Sequence, residues 1–66
     1  MTLTVNGDPR PLPAAGTLAA LIAELQLGGK RVAVERNGEI VPRSRYADTL
    51  LAAGDRIEIV QAIGGG

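Results

Sequence analysis

Polar and apolar residues alternate along Thr2-Leu3-Thr4-Val5, the period of a strand with one buried face. Asn6-Gly7 follows, the pair that most readily takes the positive φ of a tight hairpin turn. The pattern predicts a first strand over residues 2–5 and a return strand over 10–13 on which Leu12 faces inward. Pro11 and Pro13 have no N–H to give to a ladder, so the return strand belongs at a sheet edge. The period then changes. Leu18, Leu21, Ile22 and Leu25 stand three and four positions apart, which makes one apolar stripe on a helix, and Thr17 before them can cap the first turn. A helix over 17–27 is predicted, closed at Gly28-Gly29 by the left-handed backbone that glycine permits.

Alternation returns at Val32-Ala33-Val34-Glu35, and a second Asn-Gly pair at 37 and 38 predicts a turn before Ile40-Val41, which Pro42 ends. Residues 43–51 mix two signals: Ser44 can cap a helical turn, while Tyr46, Thr49 and Leu50 suit a strand. The reading is one turn followed by a short strand. After a turn at Gly54-Asp55, the run Arg56-Ile57-Glu58-Ile59-Val60 is the clearest strand, with Ile57 and Ile59 inward and Glu58 and Val60 outward. The expected class is α+β: a mixed sheet of four to five strands with one main helix packed across it, a domain over 1–63 and a flexible glycine tail over 64–66.

Composition narrows the chemistry to carboxylates, hydroxyls, amines and the backbone termini. The sequence has 66 residues and no cysteine, histidine or tryptophan, which removes disulfides, thiol nucleophiles and the usual soft metal ligands. Neither a metal nor a bound cofactor is expected. Seven basic residues balance seven acidic ones and Tyr46 is the single aromatic, a poor match to phosphate backbones and base stacking, so no nucleic-acid partner is expected. The apolar stretch from Leu18 to Leu27 is interrupted by Glu24 and Gln26 and is too short to cross a bilayer, so no membrane partner is expected either. With no basic stretch after Met1, a cytoplasmic location is the expectation.

Gly28-Gly29-Lys30 lacks the spacing and the following Ser or Thr of a phosphate loop, and a helix cap is its simpler role. No carboxylate pair or activated hydroxyl combines a nucleophile, a base and an orienting group, so no residue is assigned as catalytic. Lys30, Arg31, Arg36, Arg43 and Arg45 gather positive charge in mid-chain; they read as a solvated surface, with a docking patch for an acidic partner as the alternative. What remains is Gln61-Ala62-Ile63-Gly64-Gly65-Gly66. A frayed end is one reading. The other is a thin strand that carries the Gly66 carboxylate into a partner's active site, with Gly64 and Gly65 giving access and Glu58, Val60, Ala62 and Ile63 as docking contacts.

Three stretches together carry a resemblance: Asn37-Gly38-Glu39-Ile40-Val41-Pro42-Arg43-Ser44, then Leu51-Ala52-Ala53-Gly54-Asp55-Arg56-Ile57-Glu58-Ile59-Val60, then the closing Gly65-Gly66. The chain resembles, along its whole length, the ThiS family of thiamine-biosynthesis sulfur carriers, β-grasp proteins similar to ubiquitin. The small subunit of molybdopterin synthase is similar in fold and tail, but usually runs longer, with a more aromatic and proline-rich approach to its Gly-Gly than Gln61-Ala62-Ile63. Gly64 stands where the family takes various small residues. The resemblance implies that an adenylyltransferase similar to the ubiquitin-activating enzymes uses ATP to convert the Gly66 carboxylate to an acyl-adenylate. Sulfur from a cysteine desulfurase would displace AMP, and thiazole synthase would take it from the resulting thiocarboxylate. ATP is then the partner's cofactor, and the chain is a co-substrate with no enzymatic activity of its own. Two alternatives stay open: a carrier for another sulfur pathway, as in molybdopterin synthase, and a β-grasp interaction module with an idle tail.

Overall fold

Both Asn-Gly pairs form the expected hairpin turns. In the computed structural model, which describes residues 1–61, β1 (Thr2–Val5) returns as β2 (Asp8–Pro11) through Asn6 at φ 51° and Gly7 at φ 88°. β3 (Val32–Arg36) returns as β4 (Glu39–Val41) through Asn37 at φ 52° and Gly38 at φ 86°. Positive φ at both central residues matches the twist of the flanking strands. A turn this tight starts the return strand at once, with Val5 opposite Asp8, so β2 lies two residues earlier than the expected 10–13. It is nevertheless an edge strand. The Leu12 N–H donates to the Met1 carbonyl at 3.4 Å, and by alternation the nitrogens of Pro9 and Pro11 point away from β1, where no ladder donor is lost. Leu12 itself is half-buried against the core, as expected.

The helix α1 (Leu18–Glu24) begins where its cap predicts: Thr17 has extended backbone and its Oγ1 accepts from the Ala20 N–H at 3.1 Å. Its end differs from the expected closure at Gly28-Gly29. Gln26 takes φ 60°, the Leu27 N–H donates to the Ile22 carbonyl and the Gln26 N–H to the Ala23 carbonyl, both at 3.0 Å. This is the bond pair of a Schellman closure, with glutamine in the position usually held by glycine. Leu27 explains the early stop. Two positions beyond Leu25, it would point about 200° away from the apolar stripe in a continued helix, whereas the closure brings it against the core. Gly29, at φ 83°, serves the next turn, in which the Lys30 N–H donates to the Leu27 carbonyl at 3.0 Å. Because glutamine is strained at positive φ, Gln26→Gly should raise stability by about 0.5–1 kcal/mol and the thermal midpoint by roughly 3–8 °C. A thermal unfolding scan by circular dichroism checks this, and an unchanged or lower midpoint counts against it.

β5 (Arg56–Gln61) completes a five-stranded sheet of order β2-β1-β5-β3-β4. It lies parallel to β1 and antiparallel to β3, at the centre of the sheet. The helix covers one face: Leu18, Leu21 and Ile22 meet Leu3, Val5, Val34 and Ile57, and Tyr46 completes the buried cluster. Burial of each such side chain contributes about 1.5–3 kcal/mol.

Residues 43–51 form no strand of that sheet. Arg43–Asp48 is a 3₁₀ helix that buries Tyr46, and the chain then runs past the entrance of α1. There the Leu18 N–H donates to the Thr49 carbonyl and the Leu51 N–H to the Gly16 carbonyl, both at 2.9 Å. A single bridge, Thr17 opposite Leu50, stands where the short strand was expected. The segment instead satisfies backbone groups beside the helix start, while Tyr46, its one large ring, anchors the preceding turn in the core. The expected domain end at Ile63 and the tail over 64–66 lie outside the described residues.

Candidate functional site

The strand that leads to the glycines is fastened along its length. β5 pairs with β3 through five residue pairs, from Arg36 opposite Ile57 to Val32 opposite Gln61. With β1 the parallel register covers only Thr4 opposite Arg56 and Val5 opposite Ile57. Asn6 extends it by other means. Its backbone N–H donates to the Ile57 carbonyl at 2.8 Å, and its side chain then imitates a strand residue: Oδ1 accepts from the Ile59 N–H at 2.8 Å and Nδ2 donates to the Ile59 carbonyl at 3.1 Å. The second hairpin asparagine holds the start of β5 in the same way, Asn37 Oδ1 accepting from the Arg56 N–H at 2.8 Å. The two turn residues therefore act as clamps on one strand, a role that the Asn-Gly pattern does not reveal.

Asp55, read from sequence as a turn residue, is the centre of the clamp that Asn37 forms. Its Oδ2 accepts from Arg36 Nε and from the Ala52 N–H, both at 2.9 Å, and its Oδ1 accepts from Asn37 Nδ2 at 3.1 Å. Only 7% of the residue is exposed. Burial by itself pushes this carboxyl up; the hydrogen bonds from Ala52, Asn37 and Arg36, with the guanidinium charge, outweigh it and hold the group below its ordinary value. The pairing also removes Arg36 from the mid-chain cations read as solvated surface or docking patch, because it is an internal tie. The only sequence signal for this hub is an acid placed directly before an apolar strand.

At the far end of β5, Glu58 and Val60 face outward as expected, and Val60 is 67% exposed. Gln61 is the last described residue, opposite Val32. The other expected contacts, Ala62 and Ile63, and the expected reacting end, Gly64, Gly65 and Gly66, lie outside the described residues. An open hollow of about 550 Å³ adjoins this end of the sheet, with an apolar lining that includes Ile22, Leu27, Val32, Tyr46 and Val60; Lys30 and Arg43 also border it. The outward Val60 and three of the mid-chain cations, Lys30, Arg31 and Arg43, thus come together at this hollow. Among the described residues there is no cluster of His, Cys, Asp or Glu that could hold a metal ion, and no helix is long and apolar enough to cross a membrane.

Comparison with known proteins agrees with this geometry. The ThiS family model matches residues 3–66. The sulfur carrier protein ThiS of Bacillus subtilis is 45% identical over 65 residues, covering 97% of this chain and 98% of that protein. A thiazole synthase of Paramagnetospirillum magneticum is 50% identical over all 66 residues, and one of Magnetococcus marinus is 41% identical. The chain spans about a fifth of the length of these two proteins, 20% in each case. The crystal structure of the thiamine biosynthesis protein ThiS from Geobacter metallireducens superposes with a TM-score of 0.80 at 35% identity, each chain fully covered. The architecture is the ubiquitin-like β-grasp. With its family match, its full-length relative and its fold in agreement, this chain belongs to the ThiS family.

Proposed function

We propose that this chain carries sulfur for the making of the thiamine thiazole, with the Gly66 carboxylate as the group that is activated and loaded. The observation that carries the reading is the end-to-end match to the Bacillus subtilis sulfur carrier, a protein as short as this one. A carboxylate is a poor electrophile, so activation needs a good leaving group. An ATP-using adenylyltransferase supplies it as AMP, and sulfur originating from a cysteine desulfurase replaces AMP to give a thiocarboxylate. Glycine suits the last positions because a Cβ beside the reacting carbonyl would obstruct a narrow active-site channel. Thiazole synthase takes the sulfur; that a segment like this chain occurs within proteins named thiazole synthase supports the partnership. In this account the chain works in the cytoplasm as a co-substrate, and ATP belongs to the partner.

Intact-mass measurement on protein made together with the activating enzyme and a sulfur source tests the proposal. A fraction heavier by the exchange of one oxygen for sulfur is expected, localised to Gly66 by fragmentation. Deletion of Gly66 should abolish that species while leaving the unfolding midpoint unchanged, since the core lies within the described residues. Absence of the heavier species from the intact chain under those conditions would overturn the reading.

A further inference from the structure

On the sheet face opposite α1, Glu58 and Glu35 stand directly across from one another on β5 and β3. Like charges in opposed positions cost stability, and among the described residues no ion pair relieves them: the one ion pair there joins Arg36 to Asp55. Arg56 lies two positions back on β5, on the same face, and forms no ion pair with Glu58. Beside the two carboxylates and Arg56, the face carries exposed apolar side chains. Ile40 is opposite Glu35 on β4 and is 67% exposed; Ala33 is opposite Val60, also 67% exposed. Two opposed acids flanked by two exposed branched side chains contribute nothing to the core that their own strands build. The arrangement suits a surface that a partner completes.

We propose that this patch, Glu35 and Glu58 flanked by Ile40 and Val60, is where the ATP-using activating partner seats a basic side chain, and that it selects that partner. The proposal rests on the carrier reading above. Charge complementarity identifies the occupant. Two carboxylates side by side match the fork of one guanidinium, which can donate to both at once. An enzyme that binds a nucleotide triphosphate maintains a positive field around that site, and such a field draws an acidic face toward it before contact. Glu58 and Val60 are on the strand whose continuation leads to Gly66, so seating this face also brings the carboxyl end to the same partner. A basic side chain seated between the acids would also relieve the repulsion between them.

The test is carrier-dependent pyrophosphate exchange by the activating enzyme from the same source, with carrier concentration varied at low and high salt. For the double variant Glu35→Gln and Glu58→Gln, KM for the carrier should rise by roughly tenfold at low salt, with the partner's kcat retained and the salt dependence flattened. The thermal midpoint of the variant should equal or exceed that of the parent, because a like-charge pair has been removed. Glu24→Gln, on the exposed side of α1, should leave KM unchanged. If the parent chain is accepted but the double variant has the same KM, the docking proposal is overturned while the carrier reading stands. If the parent chain supports no exchange at all, both are overturned. If KM rises only with a lowered thermal midpoint, the residues are structural and the proposal is likewise overturned.

Discussion

Asp55→Ala is expected to destabilise the fold by about 2–4 kcal/mol, the cost of leaving three donors, one of them a partly exposed guanidinium, without their common acceptor. That is a large share of what a chain of this size has, since folded domains hold roughly 0.05–0.15 kcal/mol per residue. The substitution leaves the Arg36 guanidinium, the Asn37 amide and the Ala52 N–H without their acceptor. It also releases the turn that starts β5, because Asn37 holds the Arg56 N–H with the other side of its amide. Arg36→Ala should cost less, about 1–2 kcal/mol, because Arg36 is 32% exposed and Asp55 keeps its other two donors. Urea denaturation of the three proteins at neutral pH measures both differences, and equal losses would contradict the hub.

The same carboxylate sets a pH dependence. Its folded value is lowered below the ordinary 3.8, so the folded state binds its proton less readily than the unfolded chain does. The stabilisation is complete above about pH 4 and is lost as pH falls through the lowered folded value. Asp55→Asn lacks this component. Its stability, already lower at neutral pH, should fall less steeply than that of the parent as the pH is taken below about 4.

Leu21→Ala is expected to be of similar severity, about 2–5 kcal/mol, from the lost transfer of the side chain and the cavity left behind. Leu21 is fully buried, 0% exposed, at the centre of the helix stripe where α1 meets the sheet. The same truncation at Leu50, which is 69% exposed, should change stability by no more than about 0.5 kcal/mol. Urea denaturation compares the two directly; a Leu21 variant that unfolds at the parent's midpoint would mean that the stripe does not carry the core.

These contrasts show what the sequence made legible. The stripe of Leu18, Leu21 and Ile22, the Thr17 cap, both Asn-Gly turns and the inward and outward positions of β5 follow from local periodicity, and each is present. Gln26 was hidden because a tertiary contact, Leu27 returning to the core, outweighs the preference for glycine at positive φ. Thr49 to Leu51 were misread as a strand because their propensity is satisfied by backbone groups at Gly16 and Leu18 rather than by the sheet. At the site, the outward positions of Glu58 and Val60 were readable from alternation. The two asparagine clamps and the Asp55 hub were not, because all their partners except Ala52 lie 18 to 53 positions away. Only the fold brings those groups together. Gly66 came from elimination and resemblance, and lies outside the described residues.

The central position of β5 has a consequence for how the molecule comes to exist. The ribosome delivers this strand after every other element, yet β1 and β3 both need it as their neighbour. Pairing the two far ends of a chain is a slow, late event in folding. Until β5 arrives, the nascent polypeptide lacks Ile57 beneath Leu3, Val5 and Val34, and a product cut short before it would present that apolar surface to proteases. A chain that ends before β5 has two separate hairpins, β1-β2 and β3-β4, with no strand to join them into one sheet.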